Sequence, residues 1–220
     1  MDLLADSAFG RVLQSARSVY YVGLSDSWVS SNYCDKLVTA LQNGVKFAVY
    51  LYLPEDTSDA SIQDYVGVFR RYTPQGDDYL GQLRGMWMEP ALPRFTGRPC
   101  ASGAGRDTAY MSNYSKSFYS AYPEGWLVAV NVTPESLKDA DRLFFFPYLV
   151  QAVKMSRPGL CVPKESELFA ELLAWLRTVY TSSKPASEAP TKWWKDKLMS
   201  ATDQAPARPG SGSPRTQFLE

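Results

Sequence analysis

Three arginines, Arg94, Arg98 and Arg106, fall in a stretch rich in glycine and proline. Guanidinium groups on such a loop could hold phosphate through charge-assisted hydrogen bonds, with the glycines letting backbone N–H groups close in. The plainer reading of the same residues is solvated loop arginines. Cys100 in that stretch would be a reactive thiol only if the arginines depressed its pKa. No histidine stands anywhere in the 220 residues to serve as its base, so imidazole is excluded as nucleophile, general base or metal ligand. Ser25 and Asp26 close the first predicted strand, where α/β sheets place ligands, although polar residues there also simply begin loops. Trp193 and Trp194 lie among Lys192, Lys195 and Lys197, and form either an interaction motif or interfacial anchor, or a segment folded back on the domain. Cys34, Cys100 and Cys161 are odd in number and widely spaced, without a C-x-x-C pair, so neither a metal site nor a cofactor is expected.

The elements that must position these groups follow from periodicity. Phe9, Val12, Leu13 and Ala16 have helical spacing, and Val19 to Leu24 is a near-continuous apolar run that reads as a buried strand. Ser30, Ser31 and Asn32 are cap-type residues ahead of a helix from Tyr33 to Leu41, stopped at Asn43-Gly44. Val45 to Leu53 is a second buried strand, so the three segments make a βαβ unit with a right-handed crossover. A further helix is expected from Asp59 to Tyr72 and strands at Met86–Met88, Tyr110–Ser112 and Gly125–Asn131. A helix from Glu135, a core-packing aromatic run Leu143–Phe146 and a strongly amphipathic helix Glu165–Tyr180 complete the domain. The expected fold is α/β, a mixed, largely parallel sheet flanked by helices, over residues 1–181. Residues 182–220, with five prolines and a Gly-Ser run, read as a disordered C-terminal tail.

Lys plus Arg (23) balances Asp plus Glu (23), so net charge exerts no long-range pull on nucleic acid or anionic lipid, while a local patch stays open. No stretch nears the roughly 20 apolar residues of a membrane span. Cysteine usage suggests a cytoplasmic setting, with peripheral membrane association open; the sequons at Asn113 and Asn131 keep the secretory route open too. The closing Leu219-Glu220 reads as a cloning remnant, leaving room for a longer natural chain.

The segments Ala16-Arg17-Ser18-Val19-Tyr20-Tyr21-Val22, Gly44-Val45-Lys46-Phe47, Ser112-Asn113-Tyr114-Ser115 and Glu124-Gly125-Trp126-Leu127-Val128 together resemble one half of the phospholipase D superfamily. The likeness is to the branch of endolysosomal exonuclease-type and poxviral envelope phospholipase-like proteins, over about residues 8 to 180. Active members carry H-x-K, an acid further on, and a Gly-Ser-x-Asn step. The histidine attacks phosphorus and the lysine neutralises phosphate oxygens. Counting back from Asn113, those positions hold Gly97, Pro99 and Ala104, none of which can serve, and only Ser112 and Asn113 of the last step survive. The resemblance therefore implies a non-catalytic pseudoenzyme that binds a protein partner, and its poxviral side suggests a viral protein. Because active members pair two halves, it also implies a homodimer. The alternative is a binder of nucleic acid or anionic lipid through the 94–106 loop.

Overall fold

The computed structural model describes residues 6–24, 27–56, 58–72, 109–123, 125–132, 137, 139–147 and 159–185. Gly97, Pro99, Ala104, Arg94, Arg98, Arg106, Cys100, Ser25, Asp26, Trp193 and Trp194 lie outside the described residues. So do the expected strand at Met86–Met88 and the start of the expected helix at Glu135.

Helix α1 (Asp6–Ser15) leads into strand β1 (Ser18–Gly23), which is buried along its whole length. Alternate β1 side chains reach two different cores: Val19 and Tyr21 join one, Tyr20 and Val22 the other. Cover on both faces explains why β1 is apolar at consecutive positions instead of alternate ones. Helix α2 (Ser27–Gln42) breaks its helical geometry at Tyr33 (φ −129°, ψ 17°), directly after the cap-type residues. It closes in a Schellman motif, with Gly44 N–H donating to Leu41 O and Val45 N–H to Ala40 O, both at 3.0 Å. Gly44 takes φ +85°, the left-handed conformation that this ending requires. Strand β2 (Lys46–Tyr52) then runs parallel to β1, from Ser18 opposite Lys46 to Gly23 opposite Leu51.

Helix α3 (Asp59–Tyr72) is capped by Ser58, whose Oγ accepts from Ser61 N–H at 3.2 Å. Tyr110, Met111 and Ser112, expected as strand, lie instead in a 3-10 helix, Ala109–Asn113. The strand is β3 (Tyr114–Tyr119), parallel to β2. The helical turn wins because it buries Tyr110 and brings the Asn113 amide onto the end of α2, local and tertiary gains that an extended chain there would forgo. β4 (Gly125–Val130) pairs antiparallel with β1, β5 (Arg142–Pro147) with β4, and β6 (Leu160–Val162) with β5. Helix α4 (Glu167–Ser182) starts at Ser166, whose Oγ accepts from Phe169 N–H, and is followed by β7 (Lys184–Pro185), antiparallel to β3.

The result is a mixed α/β fold with sheet order β6-β5-β4-β1-β2-β3-β7. The parallel share is smaller than expected, confined to the ladders β1·β2 and β2·β3. The reason is the short link between β3 and β4. A parallel return needs a crossover of a dozen or more residues, whereas β4 begins at Gly125, only six positions after β3 ends at Tyr119, and runs antiparallel to β1. On one sheet face α1, α2 and α3 contribute Leu13, Leu37, Leu41, Ile62 and Tyr65 to a core. On the other, α4 lays Phe169, Leu172, Leu173, Leu176 and Val179 over Tyr20, Val22, Tyr50 and Leu127. The aromatic run is core as expected, with Phe144 and Phe146 buried on β5.

Candidate functional site

Of the residues expected to form a motif or phosphate site, Ser112 and Asn113 lie among the described residues. Ser112 is exposed, and half-buried Asn113 donates from Nδ2 to Leu41 O at 3.0 Å. That carbonyl already accepts from Gly44 N–H, so Asn113 fills its second lone pair and ties the 3-10 helix to the end of α2. Both residues stand at the amino ends of the parallel strands, since Tyr114 lies opposite Phe47 at the start of the β2·β3 ladder.

A second asparagine at this same edge escaped functional notice in the sequence, where it reads as a sequon. Asn131 follows β4 at φ +53°, and its Oδ1 accepts from Arg17 N–H at 2.6 Å and Ser18 N–H at 3.3 Å. Its Nδ2 donates to Asp141 Oδ2 at 2.6 Å. One side chain thereby joins the start of β1, the end of β4 and the start of β5. The available signal was its type: asparagine tolerates the left-handed region better than other residues bearing a Cβ. In both sequons, then, the amide nitrogen is held in an internal hydrogen bond.

The opposite edge is built differently. β3 and β4 are separated in the sheet by β1 and β2, a gap of about 14 Å at the usual strand spacing. The five residues 120–124 can span about 17 Å when extended. Residues 120–123 therefore lead as a strap toward β4 over the carboxyl ends of β2 and β1, the position at which open α/β sheets gather ligands. Leu53 N–H donates to Tyr119 O at 2.8 Å and Ser120 Oγ donates to Glu55 Oε1 at 3.1 Å, pinning the strap to the chain leaving β2.

Four tyrosines meet under and beside this strap. Tyr52, the last residue of β2, has ring centroids of Tyr122 at 5.4 Å, Tyr65 at 5.9 Å and Tyr119 at 6.2 Å, with interplanar angles of 72°, 54° and 63°. Tyr65 and Tyr119 are buried, Tyr52 is half-buried, and Tyr122 is 51% exposed. Burial raises the Tyr52 phenol above its ordinary value. Tyr65 and Tyr119 are raised chiefly by burial and further by neighbouring phenols. All three stay uncharged at neutral pH. Two carboxylates stand at the rim, Glu55 and Asp56. The backbone N–H of Ser58 and then its hydroxyl hold Asp56 below the usual carboxylate range. Such an arrangement offers ring faces, neutral hydroxyls and negative charge.

No protein-family model and no curated protein matches the chain. Among solved structures, the chain is similar to TrmBL2, an archaeal chromatin protein whose structure is described as showing a novel mode of DNA binding. The TM-score is 0.42 at 11% sequence identity, over 82% of this chain and 49% of that one, so this chain spans about half of that protein's length. A likeness of that size carries no argument about what this chain does.

Proposed function

We propose that this chain is a non-catalytic module on a phospholipase D-like plan, acting by binding another protein, with a second copy of itself as one such partner. The carrying observation is the absence of histidine from all 220 residues, which removes the family's nucleophile wherever the motif is registered. Strand β3 suggests a second registration beside that ending at Asn113. Tyr114-Ser115-Lys116 has H-x-K spacing, and Asn131 follows at nearly the separation between Gly97 and Asn113. There the histidine position holds a tyrosine whose ring stacks on Phe47 at 6.3 Å, and the asparagine is consumed by its three hydrogen bonds. Either registration supports loss of catalysis.

A phosphodiesterase assay on the purified chain tests this. No turnover is expected, and turnover that disappears on changing Arg98 would overturn the reading. Solution mass tests self-association, with a dimer expected. Because Ser182 ends α4 and Lys184–Pro185 form β7, the expected tail cannot begin before 186; deleting residues 186–220 tests whether Trp193 and Trp194 contribute to partner or liposome association, with a loss expected. A second reading, binding of nucleic acid or anionic lipid, draws on Arg94, Arg98 and Arg106 and on one structural observation. Arg142, Arg17 and Lys46 stand exposed at the amino ends of β5, β1 and β2, without a described ion-pair partner. It predicts affinity that falls steeply with salt as phosphate contacts release counterions.

A further inference from the structure

We propose that Asn43 is a site of spontaneous covalent modification, deamidation through a five-membered imide, and that the Schellman ending of α2 sets its rate. Asn43 is the one asparagine in the chain that glycine follows; Asn32, Asn113 and Asn131 precede Tyr33, Tyr114 and Val132, whose side chains hinder attack by the backbone nitrogen. In the first step the Gly44 nitrogen bonds to the Asn43 Cγ. The bond from Cγ to Nδ2 breaks, and ammonia leaves with the proton given up by the Gly44 N–H. Water then opens the imide at either carbonyl, giving an aspartate or an isoaspartyl linkage that runs through the former side chain. Access for water and base is open, since Asn43 and Gly44 are exposed and a Cβ built on Gly44 would meet nothing within 4 Å. What holds the reaction back is geometry. Asn43 N–H donates to Thr39 O at 3.0 Å and so continues the helical ladder, which the Asn43 backbone must leave before its Cγ can meet the next nitrogen. Gly44 N–H, the nucleophile's own proton, is tied to Leu41 O at 3.0 Å. The same carbonyl accepts from Asn113 Nδ2 at 3.0 Å, so an opening that frees Gly44 also loosens the tie between α2 and the 3-10 helix. Asn113 is therefore a positioning residue for this chemistry. Conversion would set a carboxylate at the helix C-terminus, where the macrodipole disfavours it, and the isoaspartyl form would lengthen the main chain just ahead of β2.

The test is peptide mapping by mass spectrometry of the full chain aged under mildly alkaline conditions, both folded and in guanidinium. The mass gain of an amide turned acid is expected in the peptide spanning Asn43, divided between aspartyl and isoaspartyl forms, and absent from an Asn43→Gln variant. The folded chain should react at least about fivefold more slowly than the denatured one, the scale of breaking one hydrogen bond. Asn113→Ala should speed the folded reaction by up to about fivefold and leave the denatured rate unchanged. Hydrogen exchange gives a readout that needs no variant: protection of the Gly44 amide in the unaltered chain should match the slowing of deamidation. No product at Asn43 in the folded chain while the denatured chain converts would overturn the site. Equal folded and denatured rates, or an unprotected Gly44 amide, would overturn control by the helix ending. An unaltered rate in an Asn113→Ala variant that thermal melting shows to be folded would overturn the positioning role.

Discussion

The two ends of the parallel strands spend their polar groups in opposite ways. At the amino end, Asn131 and Asn113 turn their amides inward onto Arg17, Ser18, Asp141 and Leu41, so the polar side chains there join one segment of chain to another. At the carboxyl end, a short strap carries Tyr122 across the sheet and leaves ring and carboxylate surface facing outward. A residue that fits a motif in the sequence is thus no sign of a site in the fold. Asn113, the residue most suggestive of phosphate chemistry, is employed in capping a helix.

The largest expected effect belongs to the carboxyl end and its neighbours. Tyr50, Tyr65 and Tyr119 have phenols raised above their unfolded value of about 10, chiefly by burial. Their contribution to stability is therefore whole below pH ~10 and is lost as pH rises above it, at about 1.4 kcal/mol per pH unit for each group. Spectrophotometric titration should show them ionising only as the fold opens; simple ionisation of all 14 tyrosines near pH ~10 would break the picture of a dry tyrosine cluster.

At the amino end, Asn131→Ala should cost about 3 kcal/mol in urea denaturation, through lost hydrogen bonds and a Cβ residue left in the left-handed region. Asn131→Gly should recover about 1 kcal/mol of that, because glycine takes positive φ freely. Equal costs would mean that hydrogen bonding alone matters there. Gly23→Ala, back at the carboxyl end, would set its Cβ 2.7 Å from Trp126 Cδ1 and should cost about 2 kcal/mol as overpacking. Near-UV circular dichroism should report the displaced indole. Asn113→Ala should cost about 1 kcal/mol, one hydrogen bond to a carbonyl that keeps its Gly44 donor. The smallest effect is at Tyr122, where Ala should change stability by less than about 0.5 kcal/mol in urea denaturation. A large loss of stability there would make the strap a structural brace like Asn131.

Much of the fold is legible in the chain. Residues 19–24 announce a strand covered on both sides, the cap-type run 30–32 stands where α2 breaks at Tyr33, and Asn43-Gly44 marks the Schellman ending. The helix expected at Glu165–Tyr180 lies at Glu167–Ser182, displaced because Ser166 provides the cap. β3 was harder to see. Tyr114, Lys116 and Phe118 interleave with serines, and the preceding Tyr-Met-Ser reads as extended although it forms a 3-10 helix. β6 is three residues long, too short for a period to register. The tyrosine corner was illegible because Tyr52, Tyr65, Tyr119 and Tyr122 come from three separated segments.

The sequence by itself determined the segments that are helix or strand, since side-chain period and cap chemistry act over a few neighbouring residues, and it excluded imidazole chemistry outright. Tertiary structure alone decided which strands adjoin, that residues 120–123 lie at the sheet's carboxyl edge, and that two asparagines turn their amides onto neighbouring segments while Tyr122 and Glu55 face out. Those outcomes depend on contacts between residues dozens of positions apart. Nothing in the local pattern distinguishes an asparagine that will close a hydrogen-bond knot from one that will meet a ligand.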